Sequence, residues 1–271
     1  MRALRLAGVL AATLSLTACL NSTTLVKIKA DGSGTVEQTT LMNVAALKGM
    51  MGGANAQMNA GPLMNKADLE RTAARMGQGV HLVSTEDVKG ANGFQGTKAV
   101  FAFDDINQIQ ISQEPSLGGS GGNAAGNKSD DPVKFKLART GATSTLTIDY
   151  NDRPAANGAP QAGAGMGDMP DLTNPMMMNM IKTMFQGFKI NIDLEVVGSI
   201  VKTNAEYVQG SRLTLLEMDM GTLLADESQL KALQGLASKV GPGASFSDVK
   251  PYLKDIKGIK IDGPSIRVEF R

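Results

Sequence analysis

Alternating apolar and polar positions along this chain predict strands that are joined into hairpins. Near the N-terminal end of the ordered sequence, Val26, Ile28 and Ala30 alternate with lysines, a turn follows at 31–34, and residues 35–42 resume the alternation. The most regular run is 188–196, in which apolar residues alternate with Lys, Asn, Asp and Glu. One polar face on each strand is typical of antiparallel sheets, since strands of parallel sheets are apolar on both faces.

Other runs add further strands and three helices. Hairpins are predicted around the turns at 90–93 and 140–142, and another is formed by 198–208 with 212–220. The predicted helices run from an Asn65 cap to Met76, from Asn174 to Gly187, and from Asp226 to Val240. Strands in runs with helices between them predict an α+β fold with antiparallel sheets of hairpins and helices packed on one face.

Glycine-rich stretches divide the chain into blocks. Residues 116–131 and 153–171 have no apolar periodicity and cannot bury enough surface to offset the entropy of ordering, so they are predicted to be flexible connections. We expect the ordered blocks to form one composite domain. The predicted segments are a signal peptide at 1–18, an N-terminal hairpin/helix/hairpin block at 19–112, a loop at 113–132, a central hairpin at 133–151, a loop at 152–173 and a C-terminal α+β block at 174–271.

Cys19, the single cysteine, closes a sequence that has the form of a bacterial lipoprotein signal peptide. Arg2 and Arg5 precede an uncharged apolar segment that is too short to span a bilayer, and the small residues Thr17 and Ala18 stand directly before the cysteine. This order predicts that Cys19 is acylated and becomes the first residue of the mature chain. Several acyl chains hold a protein on a membrane durably, so Cys19 is predicted to be an anchor.

Charge and cysteine content restrict the partners of the mature chain. The sequence has 27 Lys and Arg against 26 Asp and Glu, and removal of Arg2 and Arg5 leaves the mature chain near neutrality. Nucleic-acid partners are not expected, because no broad basic surface is available for phosphates. With the cysteine acylated, no disulfide can form, and stability must come from the core.

Methionines are concentrated in 166–184, and the helical part of this stretch places four apolar residues on one face. The predicted surface consists of Met177, Met180, Ile181 and Met184. Thioethers are flexible and polarizable, which suits a groove for an apolar ligand, a lipid or a partner protein. Core packing of the same face against the strand that begins at Phe188 is the alternative. Binding of Cu(I) by the Met-Xaa-Xaa-Met pairs is a further alternative.

No catalytic motif is expected to function. Residues 118–122 match G-x-S-x-G, but they lie in a glycine linker, and the single histidine, His81, precedes them. Residues 121–129 depart from the spacing of a phosphate-binding loop. A lone histidine without cysteine cannot assemble a structural zinc site, so we expect His81 to be a surface or packing residue and expect neither a metal nor a cofactor. Paired carboxylates for hydrolysis are conceivable, but no pair is indicated.

The opening hairpin at 25–35 (LVKIKADGSGT) and the segment 192–215 resemble the LppM-like group of bacterial lipoproteins. The second segment contains Gly198, Thr203-Asn204-Ala205 and the returning run that begins at Gly210. Val196-Val197 stands where that group often has a proline. The resemblance implies an α+β domain tethered in the cell envelope, in a group sometimes suspected of contacting lipids.

The expected function is therefore that of a non-enzymatic, lipid-anchored cell-envelope protein that binds an apolar ligand, a lipid or another envelope protein. The alternatives are a purely structural module, a Cu(I)-binding protein and, last, an envelope hydrolase. Leu20, which follows the cysteine where an aspartate would favour the inner membrane, indicates the periplasmic face of the outer membrane if the host is Gram-negative.

Overall fold

A computed structural model describes residues 20–44, 64–112, 132–149, 187–226 and 246–271, together with the single positions 182, 185, 228, 229 and 232. The described residues form thirteen strands and three short α-helices. Their bounds are β1 Leu20–Ile28, β2 Gly34–Asn43, α1 Lys66–Met76, β3 His81–Lys89, β4 Phe94–Phe103, β5 Gln110–Ile111, β6 Val133–Thr140, β7 Thr143–Asp149, β8 Lys189–Val196, β9 Ile200–Thr203, β10 Val208–Gln209, β11 Arg212–Asp219, α2 Met220–Leu224, α3 Phe246–Leu253, β12 Ile259–Ile261 and β13 Ser265–Phe270.

The larger sheet has eight strands, in the order β10-β11-β8-β1-β2-β4-β3, with β12 also paired to β11. Its centre is a parallel pair, because β1 runs alongside β8 with Asn21 opposite Lys189 and Ile28 opposite Val196. The other pairs in this sheet are antiparallel. The N-terminal and C-terminal blocks therefore share one mixed sheet, joined through β1 and β8.

The smaller sheet has five strands, in the order β5-β6-β7-β13-β9, and its inner face meets that of the larger sheet. One core cluster contains Val26 and Phe101 of the larger sheet together with Phe135, Leu146 and Phe270 of the smaller one. These five side chains are at most 6% exposed. Burial between two sheets is the main source of apolar stabilisation in this arrangement.

The predicted fold class is wrong. The described residues are mostly β, the larger of their two multi-stranded sheets is mixed, and the inner face of that sheet is covered by the second sheet instead of a layer of helices. Among the described helices, only α1 contributes to the main core, with Leu69, Ala73 and Met76. The predicted helices at 174–187 and 226–240 lie almost wholly outside the described residues.

Local predictions agree with the structure where turn and cap residues determine the conformation. Asn65 caps α1, its side chain accepting a hydrogen bond from the backbone N–H of Asp68 at 3.0 Å, and the helix ends before Gly77. The hairpins β1/β2, β3/β4 and β6/β7 and the closing strand β13 are all present. Turn residues and caps act over a few positions, so these elements follow from the local sequence.

The predicted hairpin of 198–208 with 212–220 is only partly correct. Residues 208–209 do pair with β11, but β9 pairs instead with β13 in the smaller sheet. Asn204 extends this second pairing through its side chain, whose Oδ1 accepts from the N–H of Arg267 at 2.6 Å and whose Nδ2 donates to the carbonyl of Ser265 at 3.1 Å. The segment 198–208 thus crosses from one sheet to the other.

Candidate functional site

The residues predicted to carry function lie outside the described part of the chain. Cys19, Met177, Met180, Ile181 and Met184 all fall there, so the structure leaves the lipid-attachment site and the methionine surface as predictions. Leu20, however, is described, and it is the first residue of β1. The candidate site is therefore built from the residues around Leu20.

The end of the larger sheet that contains Leu20 is called here the Leu20 end. In the strand register, Leu20 lies opposite Met42 of β2, and Met42 lies opposite Gln95 of β4. Leu20 and Met42 are buried and form an apolar cluster with the half-buried Phe188, separate from the main core. The first residue of β1 is thus fixed by side-chain packing as well as by strand pairing.

Phenylalanine rings gather at the same end. Phe185 and Phe188 meet edge to face, with their ring centroids 6.3 Å apart. A Cβ atom on Gly187 would lie 2.4 Å from Cζ of Phe94, so the residue directly before Phe188 touches a ring from β4. β4 and β8 are separated by β2 and β1, so Gly187 and Phe94 meet across the width of those two strands.

The outer face of the larger sheet, which points away from the smaller sheet, is held by ion pairs between strands. Glu37 of β2 lies between two lysines, with Nζ of Lys27 at 2.5 Å and Nζ of Lys98 at 3.1 Å from its carboxylate oxygens. The hydrogen bond from Lys27, followed by that from Lys98, holds the pKa of Glu37 below its usual value. These three residues connect β1, β2 and β4 across the sheet.

Asp193 is a buried acid on the same outer face, in β8. Its side chain is 6% exposed; Oδ2 accepts from Nδ2 of Asn191 at 3.0 Å and lies 3.1 Å from Nε of Arg212. Among the described residues, Oδ1 of Asp193 and Oδ1 of Asn191 are buried without a hydrogen-bond partner, and the N–H at Nε of Arg212 makes none either. An ion pair with incomplete hydrogen bonding adds little to stability, although loss of one partner is costly.

A second buried acid, Asp262, fastens the loop that connects β9 and β10. Its side chain is 2% exposed; Oδ2 accepts from the N–H of Glu206 at 3.0 Å and Oδ1 from the N–H of Gly263 at 2.7 Å. Burial raises the pKa of Asp262, against the effect of those two hydrogen bonds. Lys250 of α3 lies 2.9 Å from the carboxylate of Glu206, and this hydrogen bond lowers the pKa of Glu206.

Of the remaining sequence candidates, the structure describes His81, whereas residues 118–122 and 121–129 lie outside the described residues. His81 is exposed, with Nδ1 3.3 Å from the carbonyl oxygen of Gly79. Asp105 caps a short 3₁₀ turn by accepting from the N–H of Asn107 at 3.0 Å. The described ranges contain no group of three or more His, Cys, Asp or Glu side chains arranged to hold a metal ion. None of the helices in those ranges has the length and apolar character needed to span a bilayer.

Sequence reasoning did not single out Phe94, Asp193 or Asp262. The alternation of its strand predicts Asp193 on the polar side, which is where it lies, but alternation alone gives no sign that the residue is buried. Phe94 follows a Gly-Ala-Asn-Gly turn, and only the pairing of four strands places it near residue 187. A phenylalanine at the start of a strand, next to a turn, is the one local signal that was available.

No protein-family model matches the chain, and no curated protein sequence matches it. Among solved structures, the chain is similar to the folded domain of LppM from Mycobacterium tuberculosis, determined by NMR. The two are 10% identical, the alignment covers 93% of this chain and 90% of that one, and the TM-score is 0.36. At this level the likeness carries no argument about function.

Proposed function

We propose that the protein is a lipid-anchored bacterial envelope protein that acts by binding and has no enzymatic activity. The observation that carries this proposal is the junction at residues 19 and 20. Cys19, the last residue of the predicted lipobox, is followed with no intervening linker by the buried first residue of a strand inside the larger sheet. The apolar signal segment therefore ends where the folded domain begins.

The ionisable side chains of the described residues support a binding role over catalysis. Glu37, Asp193 and Asp262 are each held by ion pairs or hydrogen bonds that join neighbouring strands or loops. Their contacts account for them as structural groups. The proposed ligand is an apolar molecule, a membrane lipid or another envelope protein, and the methionine-rich segment 166–184 supplies soft, adaptable side chains for it.

The anchor is tested by expressing the full chain in a Gram-negative host and in parallel as Cys19→Ala. We expect the unaltered chain in the membrane fraction, with an N-terminal peptide that starts at Cys19 and carries the mass of a diacylglyceryl group. The Cys19→Ala chain is expected to lose that mass and to keep an uncleaved signal segment. An unmodified cysteine in the mature protein would contradict the proposal.

Ligand binding is tested on the mature domain extracted in a mild detergent. Native mass spectrometry is expected to show lipid bound in addition to the covalent acyl chains. The matched variant carries Met177→Ser and Met180→Ser, which shorten two side chains of the predicted surface while leaving Cys19 in place. Equal lipid occupancy in both proteins would remove the methionine surface from the proposal.

A further inference from the structure

We propose that the Leu20 end of the larger sheet rests on the bilayer surface, with the rings of Phe94 and Phe185 in its interfacial layer. This inference relies on the proposed acylation of Cys19. It adds an orientation and an apolar contact surface, which acylation alone does not require. The partner is thus the lipid bilayer that holds the anchor.

The predicted anchor at Cys19 and the first strand are joined without a linker. Consecutive Cα atoms are about 3.8 Å apart, so an acylated Cys19 would lie next to Leu20. β1 is an interior strand, and Asn21 already pairs with Leu41 on one side and with Lys189 on the other. Because β1 is hydrogen bonded to a strand on each side from Asn21 onward, its first residues cannot extend as a flexible tether without breaking both pairings.

Several apolar side chains are partly accessible at the Leu20 end. Phe94, Phe185, Phe188 and Leu41 are all half-buried there, so part of each apolar side chain remains accessible. Leu41 lies beside Phe94, since a Cβ atom on Gly90 would meet both of them at 3.2–3.4 Å. Phenylalanine and leucine are residues that surface-bound proteins insert into the boundary between headgroups and acyl chains.

The lysines of the Leu20 end determine whether it could bind an anionic surface. Lys189 at this end is compensated by Asp219 at 3.4 Å and Glu217 at 4.0 Å, and Lys89 is exposed. Among the described residues, this end therefore has no cluster of free lysines that would bind an anionic surface by electrostatics. The contact is apolar, so it is expected to form on neutral phosphatidylcholine and to be insensitive to salt.

The opposite end of the sheet provides an internal comparison. β1 spans nine residues, which places its far end about 26 Å from Leu20 at the usual rise of a strand. Val197, directly beyond β8 at that far end, is 54% exposed and hydrogen bonds through its N–H to the carbonyl of Ile28. A probe at residue 197 should therefore remain in water while a probe near Phe94 meets lipid.

The experiment uses variants that each carry one new cysteine, which is then the only free thiol because Cys19 is acylated in the mature chain. Lys89→Cys and Gln95→Cys, both exposed at the Leu20 end, and Val197→Cys at the far end are labelled with the fluorophore NBD in the acylated protein. The protein is placed in phosphatidylcholine vesicles that contain nitroxide-labelled phosphatidylcholine. Since interfacial contacts reach about 5–10 Å into the bilayer, we expect quenching at 89 and 95 to exceed that at 197 at least about threefold.

A second variant separates apolar contact from simple tethering. A Gly/Ser linker of about 20 residues between Cys19 and Leu20 has a root-mean-square span of roughly 25 Å and would let the domain leave the surface. The proposal predicts that the strong quenching at 89 and 95 persists with this linker. It further predicts that quenching falls to the level at 197 when Phe94→Ser and Phe185→Ser are added, in chains whose circular dichroism is unchanged.

Two failures can be told apart. A chain that does not float with vesicles and has no acyl mass contradicts the proposed function. A chain that floats and carries the acyl mass, but shows equal quenching at all three probes or loses the difference once the linker is inserted, contradicts only the apolar contact proposed here.

Discussion

Gly187 and the ring of Phe94 touch although they belong to segments on opposite sides of the β1/β2 pair. Gly187 has a φ of +87°, and a side chain there would also lie 2.4 Å from Cζ of Phe94. Both the backbone conformation and the available space therefore favour glycine at this position.

Replacement of Gly187 by alanine is expected to lower the free energy of unfolding by about 2–4 kcal/mol, the sum of a left-handed backbone penalty and an overpacked contact. Chemical denaturation of the mature domain measures this value. The control is Gly210→Ala, at a φ of +64° with no atom within 4 Å of the added Cβ, which should show only the backbone penalty. Equal losses for the two variants would mean that the Phe94 contact contributes nothing.

The ion pairs of Glu37 predict a dependence of stability on pH. Because the folded-state pKa of Glu37 is lowered from 4.5, its contribution is fully present above that value and is lost as the pH falls through the folded-state pKa. Glu37→Gln should therefore cost about 1 kcal/mol at neutral pH and much less in strong acid.

Denaturation of both proteins at neutral pH and in strong acid gives the comparison. The matched control is Glu70→Gln, whose pair with Lys66 spans 3.8 Å between exposed side chains and should have a negligible effect at either pH. A loss that is the same at both pH values would contradict the assignment of the effect to charge.

The sequence predicted those parts of the fold that local chemistry determines. Asn65, the Asp31-Gly32 turn and the alternation of 188–196 each act within a few residues, and the elements they predict are present. The parallel pairing of β1 with β8 joins the N-terminal and C-terminal blocks of the chain, and neither strand contains a local sign of it. For the same reason, the two-sheet core and the Leu20 end could not be predicted, since both depend on that pairing.

The pairing of Asp193 with Arg212 predicts unequal effects of removing each partner. Arg212→Gln would leave a buried carboxylate uncompensated and should cost about 2–4 kcal/mol, whereas Asp193→Asn removes the buried charge and should cost about 1 kcal/mol or less. In the Asp193→Asn background, Arg212→Gln should have almost no further effect.

A double-mutant cycle by chemical denaturation measures this coupling. The exposed fraction of the Arg212 side chain is 41%, so the free guanidinium in Asp193→Asn can be hydrated. Additive losses in the double variant would show that the two side chains do not interact. The uncoupled reference pair is Asp193→Asn with Glu70→Gln, since Glu70 lies in α1 and pairs with Lys66.

Asp262 predicts the opposite pH dependence to Glu37. Burial raises its folded-state pKa above 3.8, so the folded state holds this proton more tightly than the unfolded chain does. The stability that protonation contributes is present in acid and is lost as the pH rises from about 3.8 through the folded-state pKa.

Asp262→Asn cannot titrate, so the stability of the unaltered protein relative to this variant should be greatest in acid and decrease toward neutral pH. Urea denaturation of both proteins across this range measures the difference, and a relative stability that instead grows with pH would contradict the burial effect. Asp262→Ala leaves the N–H groups of Glu206 and Gly263 without their acceptor and should cost about 2–4 kcal/mol, with the larger loss in acid.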